Sequence, residues 1–366
     1  MSGRCSFLLP GDPATRTGGY GYDRRIVEGL AALGWQVELA SLGAGYPFPD
    51  AAALAEARRL VEALPDGAIA VVDGLGFGVL PDLALAHARR LRWVALVHHP
   101  LALETGLTPA QAGALFESER RALAAARRVI VTSGSTAQAL AAYDVPAGRI
   151  EVVEPGCDPA PLAANSADLA GSGGSGGSGG RGPLSLLCVA SLTPRKGHAL
   201  LIEALSALRD RDWVLHCAGS PLMDRDCATA IAEAIERHGL RGRVRLHGEQ
   251  DEAGLAVLYA QADAFVLPSF HEGYGMALAE ALARGLPIVS TTAGAIPRTV
   301  PSEAGMLVPP GDVAALRAAL QRLIDDTPWR AALAAGARAA RARLPSWEQS
   351  SARFAAVLAD VLREQG

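Results

Sequence analysis

No apolar stretch in this 366-residue chain approaches the roughly 20 residues that a bilayer-spanning helix needs. There is no surplus of positive charge either. The 34 Lys and Arg face 38 Asp and Glu, for a formal net charge of -4, whereas nucleic-acid-binding domains are usually basic. The first ten residues carry one short apolar run, 5–9, too brief for a signal peptide and better read as a first strand. Cysteine is sparse: Cys5, Cys157, Cys188, Cys217 and Cys227 form no C-x-x-C pair, and four of them lie in or beside apolar runs, as reduced core thiols do. These absences lead to the expectation of a soluble, cytoplasmic protein with no nucleic-acid partner. Lysine is scarcer still, since 33 of the 34 basic residues are Arg and the one lysine is Lys196. A skew of that kind, beside so much Ala, is what a GC-rich genome produces and favours no function, but it makes the place of the one lysine informative.

What is present is enough for large cores: half the residues are hydrophobic and a fifth are charged, and the length suits two domains. Residues 171–180 read GSGGSGGSGG, a repeat that behaves as flexible coil. Its regularity is more typical of an engineered linker, standing in for a disordered connection, than of a natural loop. On both sides short apolar runs alternate with Ala-rich amphipathic segments. The runs are 5–9, 37–40, 69–72, 93–97, 129–131 and 151–153 before the linker, and 184–189, 213–217, 244–246, 264–267 and 287–290 after it. This pattern predicts repeated βα units with parallel sheets, hence two doubly wound α/β domains. The expected boundaries are 1–160, a linker over 161–182, a second domain over 183–345, and a last helix over 346–366, capped by Ser346 and placed to cross back to the first domain.

The strongest local signal is Pro268-Ser-Phe-His-Glu272-Gly-Tyr-Gly-Met-Ala-Leu-Ala-Glu280. It follows an apolar run and opens a helix. A glycine-flanked strand-to-helix turn leaves backbone N–H groups unpaired with a positive dipole behind them, an arrangement that suits phosphate or sugar oxygens. Glu272 and Glu280, eight apart, cannot share a proton but can grip two ends of an extended polar ligand. A cap at Glu272 and a solvated carboxylate at Glu280 would give the same spacing. With its context, however, the segment 272–287 resembles the E-x7-E signature of retaining glycosyltransferases of the GT-B fold, in particular family four. The resemblance implies a GT-B architecture of two Rossmann-like domains facing a central cleft. It also implies that Glu280 holds the nucleotide ribose, that Glu272 holds a hydroxyl of the donor sugar, and that the backbone of Gly273, Tyr274, Gly275 and Met276 meets sugar and diphosphate.

A second segment, Cys188 to His198, carries Arg195-Lys196-Gly197 after an apolar run. It resembles the family's basic turn, in which Arg and Lys neutralise the phosphates of the leaving nucleotide. Breaking an anomeric bond leaves charge on the β-phosphate, and fixed cations stabilise it. A solvated basic turn is the plainer alternative, and the presence of the only lysine argues against it. In the first half, Thr17-Gly18-Gly19-Tyr20-Gly21 follows the first run and precedes a helix expected to begin near Asp23. It does not match G-x-G-x-x-G. By position it resembles the family's glycine loop, so Gly18 and Gly19 are donor-side candidates. His98-His99 ends another run. Adjacent strand residues point opposite ways and cannot chelate together, and the family often places a sugar-contacting His here, so His98 is chosen, with His99 as the alternative. The turn 246–250 resembles the base-reading segment and adds Gln250.

Some features count against other readings or depart from the family. Asp210-Arg-Asp212 and Asp224-Arg-Asp226 read as solvated turns or caps rather than a metal site. The family's G-G-x-P-E turn appears as Ala293-Gly-Ala-Ile-Pro-Arg298, with Arg for Glu. Paired arginines at 120–121 and 127–128 would suit anionic headgroups, but Glu117 and Glu119 interrupt them and residues 1–150 balance at 14 basic and 14 acidic, so a solvated helix face is the plainer reading. At most, peripheral membrane contact is expected. The resemblance therefore implies a metal-independent, cofactor-free hexosyltransferase of glycan biosynthesis. It would take a UDP- or GDP-sugar and act with retention on a glycan, lipid-linked saccharide or small-molecule acceptor, with Arg195, Lys196, Glu272 and His98 as catalytic residues. A nucleotide-sugar epimerase of the same fold, and a non-catalytic sugar-nucleotide binder, are the alternatives.

Overall fold

Two all-parallel sheets of six strands each carry the fold. The structure, a computed structural model, describes residues 3–164 and 182–364. The Gly/Ser repeat lies outside them. The chain divides into two units, residues 1–156 with 345–366, and residues 157–344. Among the described residues no helix is long and apolar enough to cross a membrane.

In the first unit the strands are β1 (Arg4–Leu9), β2 (Gln36–Ser41), β3 (Ile69–Asp73), β4 (Arg92–Val97), β5 (Arg128–Val131) and β6 (Ile150–Val152), in the order β2-β1-β3-β4-β5-β6. Every residue of β3 is buried, as is all of β4 past Arg92. Helices cover both faces of such central strands, which is why they read as unbroken apolar runs. The edge strand β2 is mostly exposed or half-buried. The helix Gly18–Ala32 begins five residues earlier than Asp23, the start expected from sequence. The Thr17 hydroxyl accepts from the Tyr20 N–H and caps it, and glycines cost little in a first turn whose N–H groups have no intrahelical partner. Asp23 is thereby carried into the helix body and fully buried. The last helix, Trp347–Arg363, has a Ser346–Gln349 capping box and packs within this unit. Phe354 stacks on Phe7 with centroids 6.3 Å apart, and Ser350 donates to the Glu154 carbonyl at 2.7 Å.

In the second unit the strands are β7 (Leu184–Val189), β8 (Trp213–Ala218), β9 (Val244–Leu246), β10 (Ala264–Leu267), β11 (Ile288–Thr291) and β12 (Gly305–Val308), in the order β12-β11-β10-β7-β8-β9. Numbered within the unit, this is the 3-2-1-4-5-6 order of dinucleotide-binding folds, with its reversal between β7 and β10. Strand β12 is missing from the apolar runs of the sequence: it starts at a glycine, is four residues long and forms the sheet's edge.

The first unit stops at Gly156 rather than the expected 160, and the segment after it is held by the second unit. The Ala163 N–H donates to the Arg284 carbonyl at 2.9 Å and Arg341 donates to the Ala160 carbonyl at 2.8 Å.

Candidate active site

The reversal point of the second sheet brings Arg195, Lys196 and Glu272 together. Past β7 the chain turns through Pro194–Lys196 into Gly197, and past β10 it runs through Pro268 to Gly275 before the helix Met276–Ala283. The two turns are laced together. Phe270 N–H donates to the Arg195 carbonyl at 2.8 Å, and Arg195 Nη1 donates to the His271 carbonyl at 2.9 Å. Two glycines with left-handed backbone permit this closeness. A Cβ on Gly197 would lie 2.2 Å from the Pro268 carbonyl oxygen, and one on Gly294 would lie 2.3 Å from that of Glu272.

Glu272, 6% exposed, is the hub. Its Oε1 accepts from Lys196 Nζ and from Ser269 Oγ, both at 2.6 Å, while Arg195 Nη1 stands 3.9 Å from Oε2. Burial alone would raise this carboxyl, but the charges of Lys196 and Arg195 and the two hydrogen bonds outweigh it, so Glu272 is held below the ordinary carboxylate value. Both cations thus face this one carboxylate, and Arg195 is also held by the opposite turn. No side chain caps the helix that starts at Met276, and its N-cap, Gly275, has φ +93°. Tyr274 is buried, and its carbonyl accepts from Thr299 Oγ1 at 2.6 Å. The Gly273–Met276 backbone is thus a fixed turn at a helix N-terminus, the local feature that favours phosphate oxygens.

Glu280 sits two turns into the helix. The Tyr259 hydroxyl lies 3.1 Å from its Oε2, and Arg284, stacked on the Tyr259 ring, donates to its backbone carbonyl. Burial raises this carboxyl and wins over the opposing Arg284 charge and Tyr259 hydrogen bond. Gln250 spends its amide on its own turn, donating to the carbonyls of His247 (2.7 Å) and Glu249 (3.2 Å). Arg298, which stands where the family has Glu, is exposed.

The first unit has its own reversal point, between β1 and β3, and here the structure adds residues that the sequence reading missed. Asp73 ends β3, His98 follows β4, and Asp23 comes from the first helix. His98 Nε2 lies 3.1 Å from Asp23 Oδ1 and 3.3 Å from Asp73 Oδ2. Among the described residues these three form the one group whose donor atoms are close enough to ligate a metal ion. Burial works against the charged imidazole, but the two carboxylates prevail and lift His98 to about 10. Asp23 is pushed up, chiefly by burial. Gly18 and Gly19 form the first turn beside this cluster, and a Cβ on Gly19 would sit 3.5 Å from His98 Cδ2. His99 turns to Glu104, at 3.2 Å. A signal for Asp73 was there to read, an Asp-Gly step at the end of an apolar run. Asp23 had none, because it falls inside a helix.

Two further sequence readings meet the structure here. Asp224 caps the helix Arg225–Arg237, and Arg211 bridges Asp210 and Asp325. Arg120 pairs with Glu117 and Asp144, and Arg121 with Asp82. Glu119, expected on the same solvated face, is instead 1% exposed and accepts the Leu101 N–H at 2.9 Å. At that helical position the side chain points away from water, against the turn at Leu101 and beside Gly78.

Doubly wound α/β sheets of this class bind ligands outside the carboxyl ends of their strands, at the point of reversal. The comparisons make this specific. Residues 22–161 match the family model described as Glycosyltransferase Family 4, and residues 183–326 match the one described as Glycosyl transferases group 1. A D-inositol 3-phosphate glycosyltransferase from Salinispora tropica is 32% identical over 279 residues, which is 71% of this chain and 58% of that relative. Its namesake from Xylanimonas cellulosilytica is 30% identical over 75% of this chain and 68% of its own length. Among solved structures, Anabaena HepE in complex with UDP and glucose superposes with a TM-score of 0.75 at 18% identity, covering 97% of this chain and 100% of the other, and shows the same fold. The chain belongs to the family-four, group 1 glycosyltransferases, with the GT-B fold. It spans just over half the length of the Salinispora relative.

Proposed function

We propose that this protein moves a hexose from a nucleotide-diphosphate donor to an acceptor hydroxyl, with retention at the anomeric carbon and without a metal ion. The observation that carries the reading is the convergence of Lys196, Arg195 and Glu272 at the reversal point of the second sheet, beside an uncapped helix N-terminus. The acceptor oxygen bonds to the anomeric carbon on the face the diphosphate leaves. The bond from that carbon to the β-phosphate oxygen breaks with its electron pair going to phosphate, and the acceptor proton passes to the same phosphate oxygen. Arg195 and Lys196 stabilise the charge as it forms. Glu272 contacts the sugar, Glu280 the ribose and the 273–276 backbone the diphosphate, while Gln250, through the turn it braces, borders the base. In the first unit His98, with Gly18 and Gly19 beside it, is the substrate contact. That HepE was captured with UDP and glucose supports a uridine nucleotide as the first donor to try, and the named activity of the Salinispora relative supports a polyol or sugar acceptor.

A thermal-shift panel of UDP-, GDP-, ADP- and TDP-sugars tests the reading. One nucleotide class raises Tm, by linkage worth about 2.7 kcal/mol at a hundredfold excess over Kd, and Glu280→Ala weakens the response. A panel in which none shifts Tm overturns the donor assignment.

A further inference from the structure

One nitrogen of His98 serves two carboxylates. Nε2 faces Asp23 Oδ1 and Asp73 Oδ2 at hydrogen-bonding distance, so Nε2 carries a proton, and no described residue hydrogen-bonds Nδ1. Tyr22 meets the ring edge-on with centroids 5.4 Å apart, and Gly19 lies on one flank. Thr132 and Thr136 donate to the His98 carbonyl at 3.2 and 3.3 Å. Only two states remain. A neutral ring presents a lone pair at Nδ1 and is a base, whereas a charged ring presents an N–H there and is a donor. Two carboxylates against one edge, one of them fully buried, favour the charged ring. The other titratable groups nearby are phenols that hold their protons. Tyr22 donates to the Val153 carbonyl and Tyr20 to the Pro10 carbonyl, with burial and the neighbouring carboxylates pushing Tyr20 up to about 12.

We propose that Asp23 and Asp73 are positioning residues that keep His98 an imidazolium, so that Nδ1–H is a fixed cationic donor to a substrate oxygen and the ring is closed to service as a general base. This rests on the reading of His98 as a substrate contact. It deepens that reading by assigning the protonation state and the two residues that set it.

The test pairs NMR with pH profiles. In histidine-labelled protein, with His98→Gln to assign the signal, both ring nitrogens of His98 stay protonated from about pH 5 to 9, beyond the ordinary histidine range. Asp23→Asn and Asp73→Asn keep an acceptor oxygen but remove charge, and each lowers the titration point by about one unit or more. Turnover of either variant then falls as pH rises through the lowered value, because the donor is lost. A turnover that rises through it identifies a base and overturns the proposal. So does a wild-type ring that titrates near its ordinary value. A metal ion among the three residues would need the Nε2 lone pair, so stoichiometric Mn²⁺ or Zn²⁺ binding by the EDTA-treated protein, abolished in Asp23→Asn, also overturns it. Unchanged turnover in His98→Gln would instead remove the substrate contact while leaving the NMR result standing, which separates the two failures.

Discussion

Both units put charged side chains at the same topological place, the reversal point of a parallel sheet, and give them opposite balance. In the second unit two cations surround one carboxylate, and in the first two carboxylates surround one imidazole. Topology settles where a ligand group can be met, because strands that diverge leave a crevice at their carboxyl ends. Side-chain chemistry settles what is met there. On the readings proposed above, the Lys196–Glu272 cluster receives negative charge, and the Asp23–Asp73–His98 cluster is a single donor held by negative charge.

The comparison is sharpest where a charge is removed. Lys196→Ala lowers kcat by about 10²–10³, with Glu272→Ala similar, and near-normal turnover in either purified variant would refute the leaving-group assignment. Lys196→Ala also leaves Glu272 buried with its strongest counter-charge gone, at a cost of ~3 kcal/mol in a urea titration. The double variant Lys196→Ala/Glu272→Gln recovers much of that, since an unpaired buried charge is what costs. Equal stability of single and double variants would show that the pair is not coupled.

The two clusters also fail at opposite ends of the pH scale. Glu272 is lowered in the folded state, so its contribution is present above the ordinary carboxyl value and is lost as pH falls through the folded one. His98 is raised, so its contribution is full below 6.5 and is lost as pH rises through about 10. Melting curves across pH should show Glu272→Gln flattening the acid limb and His98→Gln the alkaline limb; an exchange of those effects would break the comparison. A smaller change is expected from Glu280→Ala, which loosens donor binding about tenfold, the worth of one hydrogen bond to a charged group, as titration calorimetry would read. Smallest is Glu119→Gln. Burial lifts Glu119 to about 8, so the folded protein loses stability as pH rises from 4.5 through that value, and Gln removes the slope. A gain of about 1 kcal/mol at pH 9 is expected, and no gain would mean that the carboxyl is ionised in place.

Much of this was legible in the sequence, for physical reasons. Central strands of parallel sheets are apolar on both faces and announce themselves, while β12, short and at an edge, does not. Arg195 with Lys196, and Glu272 with Glu280, could be singled out because each pair lies in one short stretch that runs from the end of a strand into a helix. Asp23 and Asp73 could not. They are 50 residues apart, and only the order β2-β1-β3-β4 brings the helix after β1 beside the ends of β3 and β4. Glu119 looked like a surface charge because its helix has a polar face, and only packing shows which side of that helix it occupies.

The first unit is discontinuous, and its last helix, Trp347–Arg363, follows the whole of the second. Phe354, Leu358 and Val361 are fully buried there, so their apolar cover reaches the first unit only after the whole second unit has been made. During synthesis the second unit can complete its sheet while the first still waits with an open apolar face, since domains otherwise form in order as they emerge. A chain cut short before Trp347 would therefore leave its earliest-made half as the aggregation-prone one.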